Sequence, residues 1–199
     1  MTSQTQSSAE NASPRQQVEP MVQGRFQGLK VLVTGAGSGI GLATTLRIAG
    51  EGGQVVASDV DAARLQALVD AHPTLDLVTV AGDVTDDAHI AALVAACNGS
   101  LDGLVNNAGI NDGFVPLDEL DDASWDKVIA VNLTAPFKLT RALLPLLQGS
   151  AQAAIVNVAS EAALRGSVSG TAYTVSKHGI LGLTRSTAFL YDNVRCNAI

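Results

Sequence analysis

The sequence predicts an α/β fold in which helices cover both faces of a doubly wound parallel sheet. Short runs rich in Val, Ile and Leu alternate along the chain with longer stretches of helical composition. Consecutive positions within the runs are apolar, which is typical of strands buried on both faces. Right-handed crossovers through the intervening helices then produce the doubly wound arrangement, whose ligands bind beyond the carboxyl ends of the strands.

Each element follows from these periodicities and from stop signals such as His72-Pro73 and Asn98-Gly99. The predicted strands are residues 30–34, 54–59, 76–81, 104–106, 154–158 and 194–199. The predicted helices are residues 39–49, 62–71, 86–97, 124–147 and 171–190. We find no internal repeat and no sign of a second domain.

Composition excludes several classes of function. The chain has 199 residues, 47% of them apolar, and a formal net charge of −7. An acidic chain is a poor partner for nucleic acid or an anionic membrane surface, and no apolar run approaches the ~20 residues of a membrane span. Cys97 and Cys196 lack the spacing of a metal or redox pair, and the three histidines share no ligand spacing. We therefore expect no metal, two buried thiols and a reducing, cytoplasmic location.

Residues 1–27 differ in composition from the remainder of the chain. They are rich in Ser, Gln, Ala, Pro and Glu, and they contain no apolar stretch like the core of a signal peptide. Such a segment cannot bury enough surface to offset its ordering entropy. The sequence predicts a disordered tail over 1–27 and a folded domain over 28–199.

A glycine-rich turn follows the first predicted strand. Residues 34–41 read Thr-Gly-Ala-Gly-Ser-Gly-Ile-Gly and open the first helix. Glycines let a pyrophosphate approach backbone N–H groups at the positive end of a helix, where Cβ atoms would obstruct it. The pattern is Thr-Gly-x-x-x-Gly-x-Gly rather than Gly-x-Gly-x-x-Gly, because Ile40 occupies the last position of the latter. A glycine-rich turn without a ligand is the alternative interpretation.

Asp59 ends the second predicted strand, 18 positions after Gly41. A carboxylate there can accept both hydroxyls of an adenosine ribose and would repel a 2′-phosphate. The alternative is a solvated turn acid, since Asp61 lies close by.

Tyr173 and Lys177 are four positions apart on a predicted helix, so they share one face. A free Tyr has a pKa of about 10, and a nearby ammonium should lower it and favour the phenolate. The pair can therefore form a general acid/base. Ser160 lies just beyond the fifth predicted strand, where its hydroxyl can hold a substrate oxygen beside the Tyr. Alternatively, Ser160 only caps a turn, Tyr173 is a half-buried amphipathic ring and Lys177 is a surface charge.

Asn132 precedes Pro136 by four positions. Because Pro has no N–H, a helix here leaves the Asn132 carbonyl without its usual partner. We hypothesise that this carbonyl binds a water that links Lys177 to solvent. An ordinary polar helix residue beside a proline kink is the alternative.

Taken in order along residues 28–199, these motifs resemble the short-chain dehydrogenase/reductase family. The resemblance implies a Rossmann-type fold and a bound nicotinamide cofactor, NAD rather than NADP, because Asp59 is acidic and Ser38 stands where an NADP-binding relative often carries Arg or Lys. It implies catalytic roles for Asn132, Ser160, Tyr173 and Lys177. The expected cofactor-binding residues are Gly35, Gly37, Ser38, Gly39, Ile40, Gly41, Asp59, Asp83, Val84, Asn107, Ala108, Gly109, Tyr173 and Lys177.

By this resemblance, hydride passes between NAD and a secondary alcohol or ketone. Ser160 and Tyr173 hold the substrate oxygen, and Lys177 also bonds the nicotinamide ribose. The family continues past the sixth strand with a Pro-Gly turn, a substrate lid and a last strand. The chain ends at Ile199, so we expect an incomplete domain with uncertain turnover. Complete members commonly form homodimers or homotetramers through the helices that correspond here to 124–147 and 171–190.

Three alternatives remain. A sugar-nucleotide epimerase or dehydratase can share Tyr-x-x-x-Lys, but Ser38 stands where those proteins usually carry the middle glycine of their turn. A non-catalytic NAD-binding module would bind the cofactor without alcohol-dependent NADH formation. An NADPH-dependent ketoacyl reductase is disfavoured by Asp59.

Overall fold

The computed structural model describes residues 24–199, and its centre is a six-stranded parallel sheet in the order β3-β2-β1-β4-β5-β6. The strands are β1 Lys30–Thr34, β2 Gln54–Asp59, β3 Leu77–Ala81, β4 Gly103–Asn106, β5 Ala154–Asn157 and β6 Arg195–Ala198. Every neighbouring pair runs parallel. The predicted doubly wound fold is confirmed, and the strand bounds differ from the predicted ones by at most one residue.

Helices connect the strands. They are α1 Gly39–Gly50, α2 Ala62–Ala71, α3 Asp87–Ala96, α4 Asp122–Ile129, α5 Ala135–Gln148 and α6 Thr171–Leu190. Aspartates cap three of them, because Asp61, Asp86 and Asp121 each accept an amide N–H from the first turn of α2, α3 and α4. Within the described residues, no helix combines the length and the apolar character needed to cross a bilayer.

The two faces of the sheet bury separate apolar clusters. Successive side chains of a strand point to opposite faces, so Leu32 of β1 packs with Leu93 of α3 and Leu143 of α5. Its neighbour Val33 lies on the other face, in a cluster that includes Leu65 of α2. The helices therefore cover both faces, as the alternation of runs and helical stretches predicted.

One predicted helix is interrupted. The sequence predicted a single helix over 124–147, but a π-helical turn, Ala130–Thr134, separates α4 from α5. In that turn the amide of Ala135 donates to the carbonyl of Ala130, one residue further back than in an α-helix. Pro136 follows at the start of α5 and cannot donate to Asn132. The missing donor explains why the regular ladder is not continued here.

The folded domain begins before Gly28. Residues 24–27, which the sequence assigned to the tail, form a turn whose Phe26 packs against the cluster containing Ile48. Arg25 Nη2 donates to Oε1 of the buried Glu51 at 2.7 Å. Apolar burial and this ion pair together offset the ordering of the turn. Residues 1–23, the remainder of the predicted tail, lie outside the described residues.

Candidate active site

A cleft of about 1080 Å³ opens at the carboxyl ends of the strands. It lies where the strand order turns from β2-β1 to β4-β5, the switch point at which doubly wound sheets bind ligands. Most predicted site residues line it together: Gly35, Ser38, Gly39, Ile40, Asp59, Asp83, Val84, Asn107, Ala108, Gly109, Ser160, Tyr173 and Lys177. Gly37, Gly41 and Asn132 do not line the cleft themselves, but each lies next to a residue that does.

The glycine turn has the close packing that its sequence predicted. A Cβ at Gly41 would lie 2.5 Å from Asn107 Nδ2 and closer still to the carbonyl oxygen of Gly35. A Cβ at Gly37 would lie 2.9 Å from Asp59 Oδ2. Ser38, the N-cap residue of α1, makes no side-chain hydrogen bond to the helix. The Ser38 side chain therefore leaves the first amide groups of α1 without a cap. Because the neighbouring residues are glycines, no Cβ atoms block the approach of a ligand to these amides.

Asp59 lies beside this turn and is 6% exposed. Its Oδ2 accepts the amide of Gly37 at 2.8 Å, and its Oδ1 accepts the amide of Asp61 at 3.0 Å. A carboxylate has about four acceptor positions, so lone pairs remain for hydroxyl donors. The structure therefore places an oriented anion, rather than a freely solvated turn acid, at this end of the cleft.

Arg64 is a cleft residue that the sequence analysis missed. It belongs to α2 and lines the cleft beside Ser38, with Nη1 3.4 Å from the Ser38 hydroxyl. Its guanidinium also contacts Asp61, with Nε 3.2 Å from Oδ2. The position three residues after the capping Asp61 was the available signal, because that spacing turns a side chain back toward the helix start. The Arg64 guanidinium therefore places a positive charge beside Ser38, at the position where the sequence analysis expected none.

The segment after β3 forms another wall. Asp83 Oδ1 accepts both the amide and the hydroxyl of Thr85 at 2.8 Å, and these hydrogen bonds hold the pKa of Asp83 below its usual range. Behind it, His89 is buried, with Nε2 2.9 Å from the Ser58 hydroxyl. Burial lowers the pKa of His89. The neutral imidazole therefore supports the strand end that carries Asp59.

The segment after β4 joins the two central strands. The amides of Asn107 and Ala108 donate to Thr34 Oγ1 at 3.0 and 3.1 Å, and Asn107 Nδ2 donates to the Thr34 carbonyl at 2.9 Å. Asn106 points the other way and donates to Asn157 Oδ1 at 2.8 Å. These contacts hold the strand ends on both sides of the switch point in one rigid frame.

Tyr173 and Lys177 face the cleft together. Lys177 Nζ lies 5.4 Å from the centroid of the Tyr173 ring and donates to the Val158 carbonyl at 2.7 Å. Lys177 is only 4% exposed, and burial lowers its pKa to about 8. At neutral pH it remains mostly protonated, so a positive charge stands beside the phenol ring.

Ser160 completes the group at the end of β5. Its Oγ accepts the amide of Ala162 at 3.1 Å and caps the 3₁₀ turn Glu161–Ala163. Such a hydroxyl still has a proton to donate. The capping contact holds the side chain in one orientation while it lines the cleft with Tyr173.

Asn132 is buried in the π-helical turn next to this group. Its Oδ1 accepts the amide of Ile110 and its Nδ2 donates to the carbonyl of Ile110, both at 2.8 Å. A Cβ at Gly109 would lie 3.4 Å from Asn132 Oδ1 and 3.7 Å from Lys177 Nζ, which shows how near the two side chains are. The water link through the Asn132 carbonyl stays a prediction.

Other reactive side chains lie outside this cleft. Burial raises the pKa of Cys97 and of Cys196 to about 11, so both thiols stay protonated and inert. Within residues 24–199, no group of three or more His, Cys, Asp or Glu side chains is arranged to hold a metal ion.

The sheet and the glycine-lined cleft at its switch point define a doubly wound, dinucleotide-type α/β protein. The family model described as short chain dehydrogenase matches residues 29–199. The chain therefore belongs to the short-chain dehydrogenase/reductase family of oxidoreductases, which bind nicotinamide cofactors and act on small molecules.

Individual relatives agree with this assignment. The short-chain dehydrogenase/reductase cdmF of Talaromyces verruculosus is 41% identical over 182 residues, which cover 88% of this chain and 70% of that protein. Asnovolin H dehydrogenase of Aspergillus novofumigatus is 41% identical over 180 residues, covering 88% and 69%.

Solved structures show the same architecture. Levodione reductase superposes with a TM-score of 0.82 at 36% identity, covering 87% of this chain and 71% of that one. A family member from Burkholderia phymatum in complex with NAD has a TM-score of 0.81 at 33% identity, covering 87% and 65%.

Proposed function

We propose that this protein is an NAD-dependent oxidoreductase that transfers hydride between NAD(H) and a secondary alcohol or ketone. The observation that carries the proposal is the sharing of one cleft by the glycine turn, Asp59 and the group of Ser160, Tyr173 and Lys177. A glycine turn without a ligand would not explain why the buried Lys177 ammonium lies 5.4 Å from the Tyr173 ring in the same cleft. The names of relatives, asnovolin H dehydrogenase and levodione reductase, support a small organic substrate.

The residues of the cleft fit a dinucleotide. The turn from Gly35 to Gly41 and the start of α1 would hold the pyrophosphate, because Cβ atoms are absent and amide groups are available there. Asp59 would accept the adenosine ribose hydroxyls. Asp83 and Val84 would border the adenine, and the segment Asn107–Ala108–Gly109 would line the path toward the nicotinamide.

Cofactor preference depends on two opposing charges. Asp59 disfavours a 2′-phosphate by repulsion, which supports NAD, and the neighbour from Burkholderia phymatum is in complex with NAD. Arg64 beside Ser38 favours NADP, which is the second candidate cofactor. We propose NAD because Asp59 is oriented by two backbone amides, whereas the Arg64 charge is partly neutralised by Asp61.

The chain's own residues would transfer the proton of the substrate hydroxyl. When bound, the nicotinamide supplies hydride transfer. Ser160 would hold the substrate oxygen by its hydroxyl, and the Tyr173 phenol would remove the proton during oxidation or return it during reduction. The Lys177 ammonium would stabilise the phenolate and bond the nicotinamide ribose. Asn132 would keep the loop after β4 in place next to Lys177.

The test follows NADH absorbance while a panel of secondary alcohols, polyols and steroids is offered with NAD. Tyr173→Phe is expected to reduce turnover by about 10²- to 10⁴-fold, the usual contribution of a positioned acid/base, and to keep NAD affinity. Tyr191→Phe is the matched control, because Tyr191 packs against the apolar core and not in the cleft.

Each result distinguishes the candidates. NAD binding without turnover of any alcohol would favour a non-catalytic binding module. Tighter binding of NADP than of NAD would favour the reductase alternative and would show that Arg64 outweighs Asp59. Substantial activity in Tyr173→Phe would contradict the catalytic assignment.

We also propose that copies of the protein associate through the helical segment 124–147, which includes most of α5, and through α6. These helices expose Phe137, Val175 and Phe189, the last at 84% of its surface. Large apolar side chains exposed on helix surfaces are typical of an interface between identical subunits. Light scattering on the purified chain tests this, and a monomer at micromolar concentration would contradict it.

A further inference from the structure

Helix α6, which carries Tyr173, begins without a capping side chain of its own. Its N-cap residue is Gly170, whereas Ser, Thr, Asp or Asn normally accepts the free amides of a first turn. The amide of Tyr173 donates instead to Oδ2 of Asp112 at 2.9 Å. The two residues are 61 positions apart, so the loop after β4 provides the cap as a tertiary contact.

Gly170 leaves the room that this carboxylate occupies. A Cβ at Gly170 would lie 2.6 Å from Asp112 Cγ, a separation that real Cβ atoms essentially never show. The glycine at the helix start and the aspartate in the loop are therefore complementary. The amide of Thr171 also donates to the Val115 carbonyl at 3.2 Å, which adds a second contact between this loop and the first turn of α6.

The other carboxylate oxygen of Asp112 is not satisfied. Oδ1 is buried and has no hydrogen-bond partner among the described residues. A buried acceptor without a partner reduces stability, so capping α6 with Asp112 costs more than a cap whose side chain is fully hydrogen-bonded. Departures of this kind are typical of residues that serve function rather than stability.

The carbonyl of Tyr173 is held as well. Ser176 Oγ donates to it at 2.7 Å and accepts a hydrogen bond from Asn132 Nδ2 at 3.2 Å. Asn132 in turn binds both backbone groups of Ile110, two residues before Asp112. Both backbone polar groups of Tyr173 are thus connected to one loop, one through Asp112 and the other through Ser176 and Asn132.

We propose that Asp112 is a positioning residue for Tyr173, which sets the place of the phenol in the cleft by holding the first turn of α6. This inference rests on the proposed function, because the position of the phenol matters only if Tyr173 transfers the proton. A displacement of about 1 Å at a reacting group can reduce turnover by about 100-fold. Loss of the cap releases the turn that carries the phenol while the cofactor-binding residues of α1 and β2 remain unchanged.

The experiment compares kcat, KM and NAD affinity for wild type, Asp112→Ala, Asp112→Asn and Asp121→Ala. We expect Asp112→Ala to lower kcat by about 10- to 100-fold, with NAD affinity changed less than about twofold. Asp112→Asn keeps an oxygen acceptor for the Tyr173 amide and should recover much of the lost kcat. Asp121→Ala is the matched control, since Asp121 accepts the amide of Ser124 at the same position of α4. It should lose stability without losing kcat per folded molecule.

Each outcome decides the matter. If wild type turns over and Asp112→Ala retains wild-type kcat, the positioning role is refuted while the proposed function stands. If wild type turns over no alcohol, the proposed function fails and the inference fails with it. If Asp112→Ala does not fold, Gly170→Ala, which displaces the carboxylate, should show the same loss of kcat. Failure of both variants to fold would overturn the inference, because the contact would then maintain the fold.

Discussion

Replacement of Lys177 by methionine should make the protein more stable at neutral pH while it abolishes turnover. Burial lowers the pKa of Lys177 from 10.5 to about 8. At about 1.4 kcal/mol for each pH unit, that difference corresponds to about 3 kcal/mol of unfolding free energy that the buried ammonium removes. Methionine fills a similar volume without charge, but it loses the hydrogen bond to the Val158 carbonyl, at about 1 to 2 kcal/mol. We expect Lys177→Met to gain about 1 to 2 kcal/mol at pH 7.

The pH dependence of the stability difference shows whether the burial of the Lys177 charge causes it. Below about pH 8 the amine is protonated in both the folded and the unfolded chain, so the full burial cost is present. Between about 8 and 10.5 the unfolded chain holds more protons than the folded one, so the stability of the wild type rises with pH. The advantage of Lys177→Met should therefore shrink by about 3 kcal/mol across this window and change sign.

Urea unfolding of both proteins from about pH 7 to about pH 10.5, followed by circular dichroism, measures the difference. Alkaline-titrating groups remote from Lys177 are common to both proteins and cancel. Tyr173 lies beside Lys177, so both proteins are measured in a Tyr173→Phe background, which removes the coupled phenol. Lys138→Met is the control, because Lys138 pairs with the exposed Asp87 and the change should affect stability little. A stability difference between wild type and Lys177→Met that stays constant with pH would refute the reasoning.

Two further predictions concern the frame of the cleft. Gly41→Ala should destabilise the protein by about 3 kcal/mol and weaken NAD binding, because its Cβ would lie 2.5 Å from Asn107 Nδ2. Gly182→Ala is the control, because nothing lies within 4 Å of a Cβ at this position of α6, and it should stabilise the protein by about 1 kcal/mol. Equal effects of Gly41→Ala and Gly182→Ala on urea unfolding would contradict the packing argument. Asn157→Val should cost about 2 kcal/mol, since it removes two buried hydrogen bonds, one donated to Thr184 at 2.9 Å and one accepted from Asn106 at 2.8 Å. A double-mutant cycle with Thr184→Val should show coupling, and strict additivity would argue against it.

Local sequence determined the secondary structure and much of the site. Periodicity and stop signals predicted the strand bounds to within one residue, because strands apolar on both faces have a strong pattern. The glycine turn and the Tyr173–Lys177 spacing were readable for the same reason, since each is a short-range requirement on neighbouring residues. Parallel strands then bring their carboxyl ends to one edge, which is why Asp59 and Ser160 could be expected at one cleft.

Tertiary structure alone decided the contacts between residues far apart in the chain. Arg64 beside Ser38, Glu51 beneath Arg25 and Asp112 on the Tyr173 amide join positions 26, 26 and 61 residues apart. No periodicity encodes such pairs, because they depend on how the crossovers place helices and loops around the sheet. The π-helical turn shows both levels at once. The proline that interrupts the ladder was visible in the sequence, but the packing of Asn132 against Ile110 and Ser176 was set by the folded chain.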